Sequence, residues 1–248
     1  MKFFSPFEQF ELNVFYPVFV RNTNFDLSVT NTTITMIFAT TLIVLFITLS
    51  IFNAKLLPSR WQSVVELIYK FVQSLIKEQT GSKGQPYFPL IFTTFLFILF
   101  LNLIGLLPYG FTVTAQVAIT FTLALSFFIG LIIIGFKIQG LHFLKIFVPS
   151  GIPAWLLPLL IVIEIMSFCL RPLSLAIRLF ANMLAGHVLL HIIAGAALFA
   201  FSINFFLGLI PWAFITAFMV LEVGIAFLQA YVFSILLCIY LHDSIYGH

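Results

Sequence analysis

Long stretches of this chain contain no Asp, Glu, Lys or Arg, among them Leu27 to Ala54, Gly84 to Phe136, Ile146 to Ile163 and Leu179 to Leu221. A helix needs about 20 apolar residues to span a hydrocarbon core. In lipid, only helices and closed barrels satisfy their own backbone polar groups. Most of these stretches are long enough to span as helices. The rest of the chain agrees, with 62% of residues hydrophobic and 8% charged, against about 25% charged in a soluble domain. The expected fold class is an all-α polytopic membrane protein with about five membrane-crossing helices, one amphipathic surface helix, and a last pair of helices that are long and steeply tilted.

Residues 1–30 are polar enough to form an outer N-terminal segment, and a first span is expected over 34–54. The next segment, 58–80, mixes Arg60, Glu66, Lys70, Lys77 and Glu78 with Trp61, Val64, Leu67, Ile68 and Phe71 at helical period. A helix with two such faces should lie on the membrane surface. A helical hairpin is expected over 86–136, turning at Pro108-Tyr109-Gly110, followed by a loop that carries Lys137 and Lys145 and is broken by Pro149, Gly151 and Pro153. The last third, 155–242, reads as two long helices in a second hairpin. From about Pro158 to Ala200 the helical pattern lasts about 40 residues, or about 60 Å, twice the hydrocarbon core. A break is expected at Ser202-Ile203-Asn204, with the second helix running from Pro211.

Lys55, Arg60, Lys70, Lys77 and Lys83 follow the first span and Lys137 and Lys145 follow the third, whereas 108–111 and 202–210 are uncharged. The positive-inside rule then puts the N-terminus outside and, after five crossings, the C-terminus inside. Cys169 and Cys238 sit in apolar runs, where a thiol behaves as a small hydrophobe. No ligand-spaced Cys/His cluster and no glycine-rich phosphate loop occurs, so no metal, cofactor or nucleic-acid partner is expected. His187 and His191, four apart, have no matching histidine pair on another span, and His191 is expected to be a packed side chain.

One helix face carries unusual chemistry. Glu164, Arg171 and Arg178 are spaced by seven, with Ser167 and Ser174 between them, Asn182 four beyond Arg178 and His187 five further on. A spacing of seven keeps side chains on one face. On the last helix Glu222 and Gln229 are seven apart, and Asp243 lies fourteen beyond. If the two helices fold back near residue 204, Glu164 matches Asp243 in depth, Arg178 matches Gln229, and His187 matches Glu222 to within two residues. An arginine at mid-bilayer costs between about 2.5 and about 17 kcal/mol depending on the method. In this register the carboxylates nearest Arg178 lie about 13 Å away at Glu222 and about 21 Å away at Glu164, at 1.5 Å per residue. Gln229 can bond a guanidinium but cannot neutralise it. The counter-ion is therefore expected on another subunit. For Glu164 and Arg171, snorkelling to the inner interface is the alternative. For Asn102, in the second span, it is a role in joining helices.

At RPLSLAIRLFANMLAGH and PWAFITAFMVLEVGIAFLQAYVFSILLCIYL the chain resembles subunit a of F-type ATP synthases, with further likeness in SPFEQFE, SRWQSVVELIY, FLNLIGLLPYGFTVT and FVPSGIPAWLLP. The resemblance covers essentially the whole length. In that family the arginine of the RLxxNxxAG stretch is essential, which here is Arg178, and the asparagine is Asn182. Bacterial members commonly have a carboxylate after AG and a histidine on the last helix. Here they are exchanged, as His187 and Glu222, which resembles the mitochondrial type.

The resemblance implies a non-catalytic, proton-translocating stator subunit facing a rotating proteolipid (subunit c) ring, each copy of which brings one membrane carboxylate to Arg178. It implies an outer half-channel with His187, Glu222, Asn182, Gln229 and Asn102, and an inner one with Glu164, Asp243, Arg171 and Ser174. A peripheral stalk and other Fo subunits are the further partners, protons the cargo, and the mitochondrial inner membrane the location, with the N-terminus in the intermembrane space and the C-terminus in the matrix. The competing class is a secondary transporter or a proton-pumping respiratory subunit. Those usually show repeated halves or helices broken at mid-membrane, and neither is found in this sequence.

Overall fold

The computed structural model describes residues 10–17, 28–52, 55, 57–107, 110–140, 143–144 and 156–246. Ser5 to Gln9 of SPFEQFE, Pro108 and Tyr109, where a turn was expected, Lys145 and the Pro149-Gly151-Pro153 stretch lie outside them. Six long helices carry the fold: α1 (Asn31–Ile51), α2 (Arg60–Thr80), α3 (Phe88–Gly105), α4 (Val117–Gln139), α5 (Leu157–Ile203) and α6 (Phe205–Tyr246). A short antiparallel pair, β1 (Val14–Tyr16) with β2 (Val29–Thr30), precedes them. Five helical segments are long and apolar enough to cross a membrane, the second being α2 and α3 joined by a tight helical turn at Gly81–Tyr87. The chain is thus an all-α polytopic membrane protein.

The helices solve the lipid problem locally. In α1 the hydroxyls of Thr35, Thr40, Thr41 and Ser50 donate to carbonyls three or four residues back. Thr93 and Thr94 do the same in α3. A hydroxyl bonded within its own helix needs no partner in hydrocarbon. In α2 the Ser59 side chain accepts from the Gln62 backbone N–H at 3.4 Å, and Gly81 closes the helix at φ 64°, ψ −153°, a conformation open essentially to glycine alone. One face of α2, including Val65, Val72, Leu75 and Ile76, is buried, while Trp61, Val64, Leu67 and Phe71 are exposed.

Described residues of Met1–Leu45, Phe97–Val117 and Leu179–Gln229 form one compact unit, and those of Phe46–Leu96, Ala118–Arg178 and Ala230–His248 form another. In the first unit, Ala115, Met183 and Ala226 make a small core, with Phe10, Leu103, Leu106 and Leu184 packed on it. Aromatic contacts run through the second unit: Phe71 with Phe95 and Tyr231, Phe127 with Phe233, and Phe128 and Phe143 with Phe168. Offset and edge-on ring pairs of this kind add to the area they bury.

The expected break between the last two helices is a single residue. The α5 ladder runs to the Asn204 N–H, which donates to the Ala200 carbonyl, and the Asn204 carbonyl accepts from Gly208. The Asn204 side chain caps α6 by accepting from the Phe206 N–H at 3.2 Å. The second helix therefore begins at Phe205 rather than Pro211. Proline at the seventh position removes one ladder bond, which membrane helices tolerate. A Cβ at Gly208 would collide with the Phe201 ring, so the reversal needs a glycine there.

Candidate functional site

Within the first unit, α5 and α6 meet in a regular antiparallel register. Phe201 lies over Gly208, Gly186 faces Glu222, and Met183 packs with Ala226. A step back along α5 is matched by a near-equal step forward along α6. His187 and Glu222, which the sequence register placed at nearly one depth, therefore do lie at nearly one depth. The Glu222 Oε1 occupies the space where a side chain at 186 would start. Glycine there is what lets the carboxyl reach the α5 backbone beside His187.

His187 is buried, and its Nε2 lies 3.1 Å from Thr112 Oγ1, which is also buried. The Phe10 ring meets the imidazole edge-on at 6.4 Å. Along one side runs a cavity of about 1080 Å³, whose lining includes Asn31 and Thr35 of α1, Phe111, His187, His191 and Met219. His191 is exposed beside it, with Nδ1 3.3 Å from the His187 carbonyl oxygen. The expectation of a packed His191 is corrected: the side chain is exposed and lines the cavity.

Four buried polar atoms of this unit have no hydrogen-bond partner among the described residues: both amide atoms of Asn102, Thr114 Oγ1 and Glu222 Oε2. Asn102 is completely buried and Glu222 is 5% exposed. Buried polar groups are nearly always satisfied in proteins, so such a group calls for a reason, often a polar or hydrated path. Gln229, further along α6, is buried, and Asn182, on α5, is exposed.

In the second unit, Arg171 is the centre. Its Nη1 donates to Asp243 Oδ2 at 2.9 Å, its Nη2 lies 4.0 Å from Glu164 Oε1, and its guanidinium sits over the Phe168 and Tyr240 rings at 5.5 and 5.1 Å. The Arg171 and Asp243 side chains are 18% and 19% exposed. The guanidinium of Arg171 thus bridges Glu164 and Asp243, because the long arginine side chain reaches along α5 to both. Ser174 and Arg178 stand on the exposed face of α5, beside the exposed apolar side chains Leu173 and Ile177.

The sequence reading did not single out Thr112, Thr114 or Gly186. Gly186 was visible in principle, as the residue immediately before His187. Thr112 could be linked to His187 only through the fold, and nothing in the sequence pattern marks Thr114 as buried.

Two polar constellations thus stand within long apolar helices: a buried His/Thr/Glu group beside a cavity, and a partly covered Glu/Arg/Asp group with an exposed arginine on the same helix. The sequence pattern of the family described as ATP synthase A chain matches residues 33–242. ATP synthase subunit a of Dictyostelium citrinum is 50% identical over 245 residues, covering 98% of this chain and 99% of that protein. The subunit a of Marchantia polymorpha is 47% identical over 253 residues, again covering 98% and 99%. That of the bacterium Paramagnetospirillum magneticum is 44% identical over 247 residues with the same coverage. Both the family pattern and these full-length likenesses run through all six helices, and the chain belongs to the ATP synthase A chain family.

Proposed function

We propose that this chain is the non-catalytic, proton-translocating stator subunit of a rotary F-type ATP synthase. It forms two offset half-channels against a proteolipid ring and couples proton flow to ring rotation. The observation that carries the reading is Arg178, exposed on a membrane helix among exposed apolar side chains such as Leu173 and Ile177. A guanidinium on a surface of that kind suits a partner that is itself apolar and brings carboxylates past it.

In this reading a proton from outside enters by the cavity beside His187, passes Glu222, and neutralises a ring carboxylate, whose uncharged form turns into lipid at low cost. Asn102, Asn182 and Gln229 line the same outer path. After nearly a full turn the carboxyl meets Arg178 and loses its proton to the inside, past Ser174, Glu164, Arg171 and Asp243. Arginine suits the barrier because it keeps its charge when desolvated, whereas lysine can give up its proton. One charge moved through 100 mV supplies about 2.3 kcal/mol. The ATP chemistry belongs to other subunits, and a peripheral stalk holds this one against the torque.

The exchanged positions of His187 and Glu222 support a mitochondrial inner-membrane location, with the N-terminus outside and the C-terminus inside. The likeness to the Marchantia and Dictyostelium proteins supports it too. Mild detergent extraction of the tagged chain tests the assignment. A ring of small proteolipids is expected to co-purify, and its reproducible absence from an intact, ATP-hydrolysing preparation would overturn it.

A further inference from the structure

The Asp243 carboxylate stands between the Arg171 guanidinium and the His242 imidazole. Oδ2 accepts from Arg171 at 2.9 Å, while Oδ1 lies 3.9 Å from Nδ1 of His242. The arginine is itself fixed by Glu164 and by the rings of Phe168 and Tyr240, so the carboxylate is anchored from the α5 side. The imidazole is not. The Asp243 side chain is 19% exposed and His242 is 44% exposed, with its ring tilted on that of Tyr246 at 4.8 Å. An immobilised, largely covered carboxylate therefore adjoins a half-open imidazole at the end of the last helix.

Each element packed here contributes known groups. On α6 they are Tyr240, Asp243 and Tyr246, and on α5 they are Glu164 and Arg171. Lys83, in the turn after α2, lies 4.8 Å above the Tyr246 ring, and the Tyr246 hydroxyl donates to the Thr80 carbonyl at 3.4 Å. From the end of α4, Gln139 donates to the Ser244 carbonyl at 3.0 Å, with Lys137 two residues before it. These contacts hold the helix end in place around His242. Among the side-chain types in the cluster, only imidazole ordinarily changes charge between pH 5 and 8.

We propose that His242 is a proton-relay residue at the inner mouth of the half-channel, exchanging protons between Asp243 and the inner aqueous phase. This rests on the reading above that Asp243 belongs to the inner path. On release, a proton on Asp243 Oδ1 passes to Nδ1 of the neutral ring. Asp243 returns to the carboxylate held by Arg171, and the imidazolium gives its Nε2 proton to water. One proton arrives and one leaves, and once the half-exposed ring swings Nδ1 toward water, loss of that proton and uptake of another at Nε2 restores the starting tautomer. A small rotation of that ring, or one intervening water, closes the 3.9 Å gap to transfer distance. In the reverse direction, during ATP-driven pumping, the same imidazole collects the proton.

The test uses the whole ATP synthase in inside-out vesicles, where the inner face meets the medium, and measures ATP-driven proton pumping from pH 6 to 8. His242→Gln and His242→Asn keep a polar side chain that cannot relay. Assembled complexes carrying either are expected to pump about tenfold more slowly, with a flatter dependence on medium pH. Imidazole buffer should restore much of the rate in the variants and leave the native rate unchanged. Native rate and pH profile in both variants would overturn the proposal. So would a loss that imidazole does not relieve, since that marks a packing role. Asp243→Asn separates the two claims. If it is impaired while the His242 variants are normal, only the relay fails; if it is normal, the inner-path reading fails and takes the relay with it.

Discussion

Gly186 and the Glu222 carboxylate occupy adjoining space with no room for a methyl group between them. The position of the Glu222 carboxylate is therefore set by what α5 lacks. Gly186→Ala should push the carboxyl aside at an overpacking cost of about 1–3 kcal/mol. Proton flux through the assembled complex is expected to fall, and adding Glu222→Asp, which shortens the side chain by one methylene, should recover part of it. A Gly186→Ala complex with unaltered flux would show that the carboxyl can sit elsewhere without consequence.

Arg178→Ala should leave the complex assembled and abolish proton-driven ATP synthesis, because the barrier between the two paths is lost while an exposed position tolerates truncation. Synthesis at the native rate by an assembled Arg178→Ala complex would sink the proposed function.

His187 and Glu222 should behave as one proton-entry unit, since they lie at nearly the same level of the α5–α6 pair. The single changes His187→Ala and Glu222→Gln are then non-additive, as is common for residues sharing one network. The measurement is outer-side proton flux in both singles and the double. Activation free energies that simply add would separate the two residues.

The Arg171–Asp243 pair should matter for stability as well as conduction. Arg171→Ala strands Asp243 and Glu164 without their shared cation. Its cost should be about 1–3 kcal/mol, between an exposed and a fully buried pair. The swap Arg171→Asp with Asp243→Arg should recover more thermal stability than either single change retains. If the swap is as unstable as the worse single variant, the pair is not the source of the effect.

The sequence was most legible where lipid dictates the answer. Length and the absence of charge marked the spans, and Ser202-Ile203-Asn204 marked the reversal. Helix ends were harder. The first span was expected from residue 34, yet α1 starts at Asn31, because the Thr35 hydroxyl donates to the Asn31 carbonyl and so ties the polar first turn into the helix. The β1–β2 pairing was not legible, since strands of three and two residues leave no periodicity to read. The register of His187 with Glu222 could be read by counting, because short side chains and a glycine hold the helices close. The partner of Asp243 could not, since counting fixes backbone levels and an arginine reaches well beyond its own.

The joint at Asn204 leaves α5 and α6, helices of 47 and 42 residues, without a flexible connector. A hinge can absorb an insertion; this joint passes it on. Adding one residue between Asn204 and Glu222 would turn every later side chain by about 100° about the helix axis, swinging Glu222 away from the gap left by Gly186. The α5–α6 connection thus behaves like a keyed shaft coupling, in which angular phase rather than distance is transmitted. The chain should accept substitutions along these helices far more readily than the loss or gain of a single residue.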